Sequence, residues 1–162
     1  MKEAIELVIK LAETLHYGHQ QGCIHRDIKP ANILISADGE PLIADFGVAA
    51  TFDELASGRV SSSGTLAYMS PEQVSGEVQL ISPQTDIHAL GVLLFELLTG
   101  RLPYQAENST AQREEILLRQ PKRLQEIDDK LYVELEEICA KCLAKHPTDR
   151  FNTAMALAER LR

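Results

Sequence analysis

Four side chains have the types and spacing to handle a phosphoryl group. Asp27, Lys29 and Asn32 lie in the run His25-Arg26-Asp27-Ile28-Lys29-Pro30-Ala31-Asn32. A carboxylate, a cation two residues on and an amide five residues on can surround a single point. Asp45 opens Asp45-Phe46-Gly47, thirteen residues after Asn32. Asn32 and Asp45 are hard oxygen donors of the kind Mg²⁺ takes, a cation that uses few protein ligands and completes its shell with phosphate oxygens. Asp27 could orient a hydroxyl and accept its proton. Lys29 could stabilise charge on a transferring group.

These residues need a support that brings Asp45 back beside Asn32. Ile33-Leu34-Ile35 is a short β-branched run, Ala37-Asp38-Gly39-Glu40 signals a turn, and Leu42-Ile43-Ala44 is a second run. Together they predict a β-hairpin. Upstream, Ala4, Leu7, Val8, Leu11, Ala12 and Leu15 recur at helical spacing, which predicts a helix over 3–20 with Gly22 as its stop. Residues 51–71, with five serines and two glycines, read as a long loop. Thr85 to Thr99 is apolar almost all round and predicts a central helix. Asp86 near its start suits the helix dipole, and Gly100 is its stop. Further helices are predicted near 110–119, 133–143 and 153–161. The fold class is α+β, mostly α.

Composition narrows the function. With 162 residues, 44% hydrophobic and 25% charged, the chain has the make-up of one globular domain. A net charge of -8 argues against a nucleic-acid partner. The three cysteines, Cys23, Cys139 and Cys142, do not form a secreted disulfide framework and point to a cytoplasmic setting. No apolar run reaches membrane-spanning length.

The ordered motifs carry a resemblance. HRDIKPAN, then DFG, then Ser70-Pro71-Glu72, then DIHALGVLLFELLTGRLPY and finally Pro147-Thr148-Asp149-Arg150-Phe151 resemble the bacterial, Hanks-type serine/threonine protein kinases over essentially the whole chain. The order of the set argues against simple turn chemistry for Asp27, Lys29, Asn32 and Asp45. The resemblance implies a kinase-like large C-terminal lobe over 1–162, with its catalytic loop at 25–32 and activation segment at 45–72. It implies transfer of the ATP γ-phosphoryl group, with Mg²⁺, to protein Ser/Thr hydroxyls.

Residue roles carry over as expectations. Asp27 would be the catalytic base, and Lys29 would contact the transferring phosphate. Asn32 and Asp45 would hold Mg²⁺. Lys29, Asn32, Leu34 and Asp45 would line the nucleotide site, with Leu34 under the adenine ring, backed by Leu93 and Leu97. His25 and Phe46, the latter beside Gly47, would stack in a hydrophobic spine that Asp86 anchors through the catalytic-loop backbone. Thr65 would bond near Asp27 and Lys29. Glu72 would pair with Arg150. Arg26 suggests control by a phosphate on the activation loop, with Ser61, Ser62 and Ser63 as acceptors.

No G-x-G-x-x-G occurs, and the strand lysine and helix glutamate of a small N-terminal lobe are absent from the sequence. The expectation is a lobe that needs an N-lobe, or another partner, over its exposed ATP-site face. Weak nucleotide binding is expected of the chain by itself. The competing reading is an inactive kinase-like docking module. Cys139, Cys142 and His146 imitate a metal half-site but read more simply as core thiols and a surface histidine. His16, His19 and His88 are expected to be packed and hydrogen-bonded. Glu134, Glu136 and Glu137 are expected on a solvated helix face, and Asp128-Asp129 at a loop or helix start.

Overall fold

The structure, a computed structural model, describes residues 1–45, 66–128 and 132–162. Phe46, Gly47, Ser61, Ser62, Ser63 and Thr65 lie outside the described residues.

Helix α1 (Lys2–Gln20) buries Val8, Leu11, Ala12 and Leu15, the stripe that the spacing predicted. Gly22 follows with φ 78°, a left-handed geometry that glycine adopts without penalty. Strands β1 (Ile33–Ile35) and β2 (Pro41–Ile43) pair antiparallel, with Ile33 opposite Ile43, Leu34 opposite Leu42 and Ile35 opposite Pro41. The second strand starts one residue earlier than expected and ends before Ala44. The Ala44 carbonyl is diverted to the loop over 25–32, where His25 Nε2 donates to it at 2.9 Å. One face of the hairpin packs on the core through Ile33 and Ile43. The other leaves Leu34 and Leu42 exposed, and Ile35, at the end of β1 on the Ile33 side, is exposed as well.

The expected loop over 51–71 ends differently. Pro71 begins a short helix, α2 (Pro71–Ser75), capped by Ser70 and closed by Gly76. Helix α3 (Pro83–Thr99) starts after Ser82, with Pro83 in its first turn. It is buried without interruption from Thr85 to Phe95, so a sequence apolar all round does lie at the centre. Its last turn leaves the core, and Leu97 is exposed.

Helices α4 (Ser109–Leu118), α5 (Leu124–Ile127), α6 (Val133–Cys142) and α7 (Ala154–Leu161) complete the described chain. α1, α3, α6 and α7 share one core, and Leu66, Met69, Val74, Tyr104 and Ile116 form a smaller one beneath α2 and α4. α6 lies hard against α3 at Gly91, where an added Cβ would sit 2.4 Å from Cys142 Cβ. Cys139 and Cys142 are therefore packing thiols, and burial pushes the pKa of both up, so that they are weaker acids than a free thiol. His146 Nδ1 bonds Thr148 Oγ1. Among the described residues no helix is long and apolar enough to cross a membrane.

Candidate active site

The site begins at the hairpin's first strand. A single 3-10 turn, Pro30–Asn32, brings the Asn32 N–H to the Lys29 carbonyl at 3.0 Å and turns the Asn32 side chain back over Asp27. Asn32 Nδ2 donates to the Asp27 carbonyl at 2.7 Å and to Asp27 Oδ2 at 3.0 Å. Lys29 Nζ donates to the same Oδ2 at 2.6 Å. Both partners remain partly open to solvent, so the carboxylate is held without being sealed.

Those bonds fix which end of the Asn32 amide faces which way. Nδ2 is committed to Asp27, which leaves Oδ1 as the end available to a cation. The Ala44 N–H donates to the Asn32 carbonyl at 2.8 Å, so the next residue, Asp45, enters beside Asn32. Asp45 is exposed and has φ 60°. A non-glycine residue held left-handed is costly and tends to mark a functional position. An amide oxygen and a carboxylate on neighbouring segments fit the hard-oxygen preference of Mg²⁺.

The loop over 25–32 is held from below by Asp86 in the first turns of α3. Asp86 Oδ1 accepts from the Arg26 N–H at 2.8 Å, and Oδ2 from the His25 N–H at 2.9 Å. His19 Nε2 sits 2.7 Å from the same Oδ2. Both Asp86 oxygens are thus engaged by groups outside its own helix, a role that its position near the helix start does not reveal. His25 is buried. Its Nε2 donates to the Ala44 carbonyl while Nδ1 accepts from the Asp27 N–H at 3.3 Å. The two bonds together define the Nε2–H tautomer.

Farther out, Glu72 and Arg150 form a buried bidentate pair. Nη1 meets Oε1 at 2.8 Å and Nη2 meets Oε2 at 2.7 Å. Thr85 Oγ1 donates to Glu72 Oε1 at 2.9 Å. Burial alone would raise the Glu72 carboxyl. The hydrogen bonds and charge of Arg150 outweigh it and hold that group below the usual carboxylate range. The pair ties α2 to the loop before α7.

Two expectations about polar residues are corrected, those for Glu136 and His88. Glu136 is not simply solvated: Arg123 Nε donates to it at 2.6 Å and the Gln125 N–H at 3.1 Å, which brings its helix face against α5. Asp128 lies in the loop after α5, one of the two places expected for it, while Asp129 lies outside the described residues. His88 is packed but not hydrogen-bonded: it is fully buried in α3, and neither ring nitrogen has a partner among the described residues. Burial, with the nearby charges of Arg150 and Lys145, pushes the His88 imidazole well below its ordinary value.

The sign of the resulting pH dependence follows. The unfolded chain takes up a proton near pH 6.5, whereas folded His88 does not. Stability is therefore complete above that pH and falls below it, by about 1.4 kcal/mol per pH unit. Loss of the Glu72 charge would act only at lower pH, since its folded value lies below the usual range. Denaturant midpoints at pH 7.5 and pH 5.5 should show a smaller acid loss in His88→Phe than in the parent. Equal losses would contradict the assignment.

Sequence reasoning missed two members of this network. His19 is packed and hydrogen-bonded as expected, but its partner Asp86 lies 67 residues away and no local signal identifies it. Gln73 carried a local signal, since Ser70-x-x-Gln73 is a capping pattern, but nothing local points to its partner, the Arg26 carbonyl at 2.7 Å.

Comparison with known proteins agrees with this architecture. Residues 1–161 match the protein kinase domain family. The chain is 34% identical over 155 residues to the serine/threonine-protein kinase PknB of Mycobacterium leprae, covering 94% of this chain and 25% of that protein. It is 33% identical over 156 residues to the PknB of Mycobacterium tuberculosis, covering 94% and 25%. A probable serine/threonine-protein kinase of Corynebacterium efficiens is 32% identical over 163 residues, covering 96% and 24%. The chain spans about a quarter of the length of these relatives.

Proposed function

We propose, from the premise that this chain belongs to the protein kinase domain family, that it is the catalytic lobe of a serine/threonine kinase. In this reading it transfers the ATP γ-phosphoryl group to Ser or Thr hydroxyls of a protein once a small lobe covers the nucleotide. One observation carries it: Lys29 and Asn32 converge on Asp27 Oδ2. That arrangement holds one carboxylate ready for a hydroxyl, with a cation beside it.

The chain's own residues divide the work. Asp27 orients the substrate hydroxyl and takes its proton as the bond to phosphorus forms. Lys29 follows the negative charge on the transferring oxygens. Asn32 Oδ1 and Asp45 would hold Mg²⁺, which screens the phosphate oxygens when bound. His25, Arg26 and Asp86 keep the loop in place, and Leu34 with Leu42 offers an apolar floor for a flat base. Three free cysteines, two of them buried, support a cytoplasmic setting.

The test uses the chain joined to a bacterial-type small lobe. Calorimetric titration should show nucleotide binding that tightens with Mg²⁺. Asp45→Asn should lose about tenfold or more of the Mg²⁺-dependent part, because it removes the charged ligand. Magnesium dependence that survives this substitution would count against Asp45 as the metal residue.

A further inference from the structure

We infer that Gln73 is a positioning residue for the catalytic loop, coupling the end of the activation segment to the peptide that presents Asp27. The inference rests on the reading of Asp27 as the catalytic base. Arg26, immediately before it, has φ 69°. A non-glycine residue in that region costs about 1–2 kcal/mol and persists when its surroundings over-determine it. Here both its polar backbone groups are gripped. Its N–H goes to Asp86 Oδ1 at 2.8 Å, and its carbonyl accepts from Gln73 Nε2 at 2.7 Å.

That carbonyl belongs to the peptide unit joining Arg26 to Asp27. The other side of the same unit, the Asp27 N–H, is held by His25 Nδ1 at 3.3 Å. The plane of this peptide sets the direction in which Asp27 leaves the backbone. Gln73 is one of its two fixed points.

The Gln73 amide has a single workable orientation. Its Oε1 accepts from the Ser70 N–H at 3.0 Å and from Ser70 Oγ at 3.2 Å. A flipped amide would set NH₂ against the Ser70 N–H and oxygen against the Arg26 carbonyl, two repulsive contacts at a buried site. The neighbouring residue is Glu72, anchored on Arg150. One short helix therefore binds outward to the late helices through Glu72 and inward to the catalytic loop through Gln73. A shift of α2 would reach Asp27 through a single side chain.

Gln73→Glu separates this role from packing. It keeps the size and the acceptor toward Ser70, and it replaces the donor with an oxygen facing the Arg26 carbonyl. Amide hydrogen exchange, followed by NMR on the 162-residue chain, reads the loop directly. The Arg26 and Asp27 amides should exchange about tenfold or more faster, while α1 and α3 amides stay within about twofold of the parent. In the chain joined to a small lobe, kcat should fall about tenfold or more with the KM for MgATP within about twofold.

Unchanged exchange at Arg26 and Asp27 would overturn the inference. Uniform acceleration through α1 and α3 would also overturn it, because Gln73 would then be only a stability residue. If Gln73→Glu does not fold, Gln73→Met, neutral and of similar length, is read by the same criteria. A parent fusion that transfers no phosphate would remove the kinase reading, while the exchange data would still decide whether Gln73 holds the loop.

Discussion

Arg150→Ala is expected to destabilise the chain by about 3–5 kcal/mol, because it leaves one member of a buried ion pair without its partner. The Arg150 side chain has no exposure, and Glu72 has 1%. All five guanidinium N–H groups are used. Nε donates to the Ala144 carbonyl at 2.8 Å, Nη1 to Glu72 and the Gln84 carbonyl, and Nη2 to Glu72 and the Lys145 carbonyl. Alanine would strip three backbone carbonyls of a donor and strand a carboxylate with Thr85 as its hydrogen-bond donor from α3. The right control is Arg160→Ala, since the Arg160–Glu137 pair is long and half-exposed. Such surface pairs contribute about 0–1 kcal/mol. Urea denaturation midpoints compare the two. An Arg150→Ala shift no larger than the control would contradict the clamp.

Asp27→Asn is expected to abolish most turnover and spare nucleotide binding. The substitution keeps the shape and leaves an amide oxygen for Lys29 and Asn32. It removes the proton acceptor, and a positioned general base contributes about 10²–10⁴-fold. In the chain joined to a small lobe, kcat should fall by that order with nucleotide affinity unchanged within about twofold. This is the pattern of an interaction made chiefly in the transition state. Turnover that survives intact would show that Asp27 is not the base.

The parts of the fold legible in the sequence are those whose physics is local. The stripe from Val8 to Leu15 shows through its helical spacing, and the hairpin through two β-branched runs around Asp38-Gly39. Thr85 to Phe95 shows through the absence of a polar face. Helix α5 has four residues, too few for a period to register. Helix α2 begins at the last residue of the serine-rich stretch over 51–71 and has only five residues, although Ser70, Pro71 and Gln73 are its start signals.

The site was legible in a different way. The spacing of Asp27, Lys29 and Asn32 places them in one loop, and the turn returns Asp45 to Asn32. What fixes those groups is distant in sequence. Asp86 reaches His25 and Arg26 across about sixty residues, and Gln73 reaches Arg26 across 47. No periodicity or turn chemistry encodes such pairs. The expectations for Asp86 with the loop and for Glu72 with Arg150 came from family resemblance. His88 escaped both routes, because a histidine with no hydrogen-bond partner among the described residues breaks the rule that buried polar groups are satisfied.

The most direct measurement is phosphate transfer by this chain joined to a bacterial-type small lobe. The assay supplies γ-labelled ATP, Mg²⁺ and a generic basic protein. A serine/threonine catalytic lobe predicts Mg²⁺-dependent label on serine and threonine, and none on tyrosine. A folded fusion that binds nucleotide and transfers no label would contradict the account and favour a docking module.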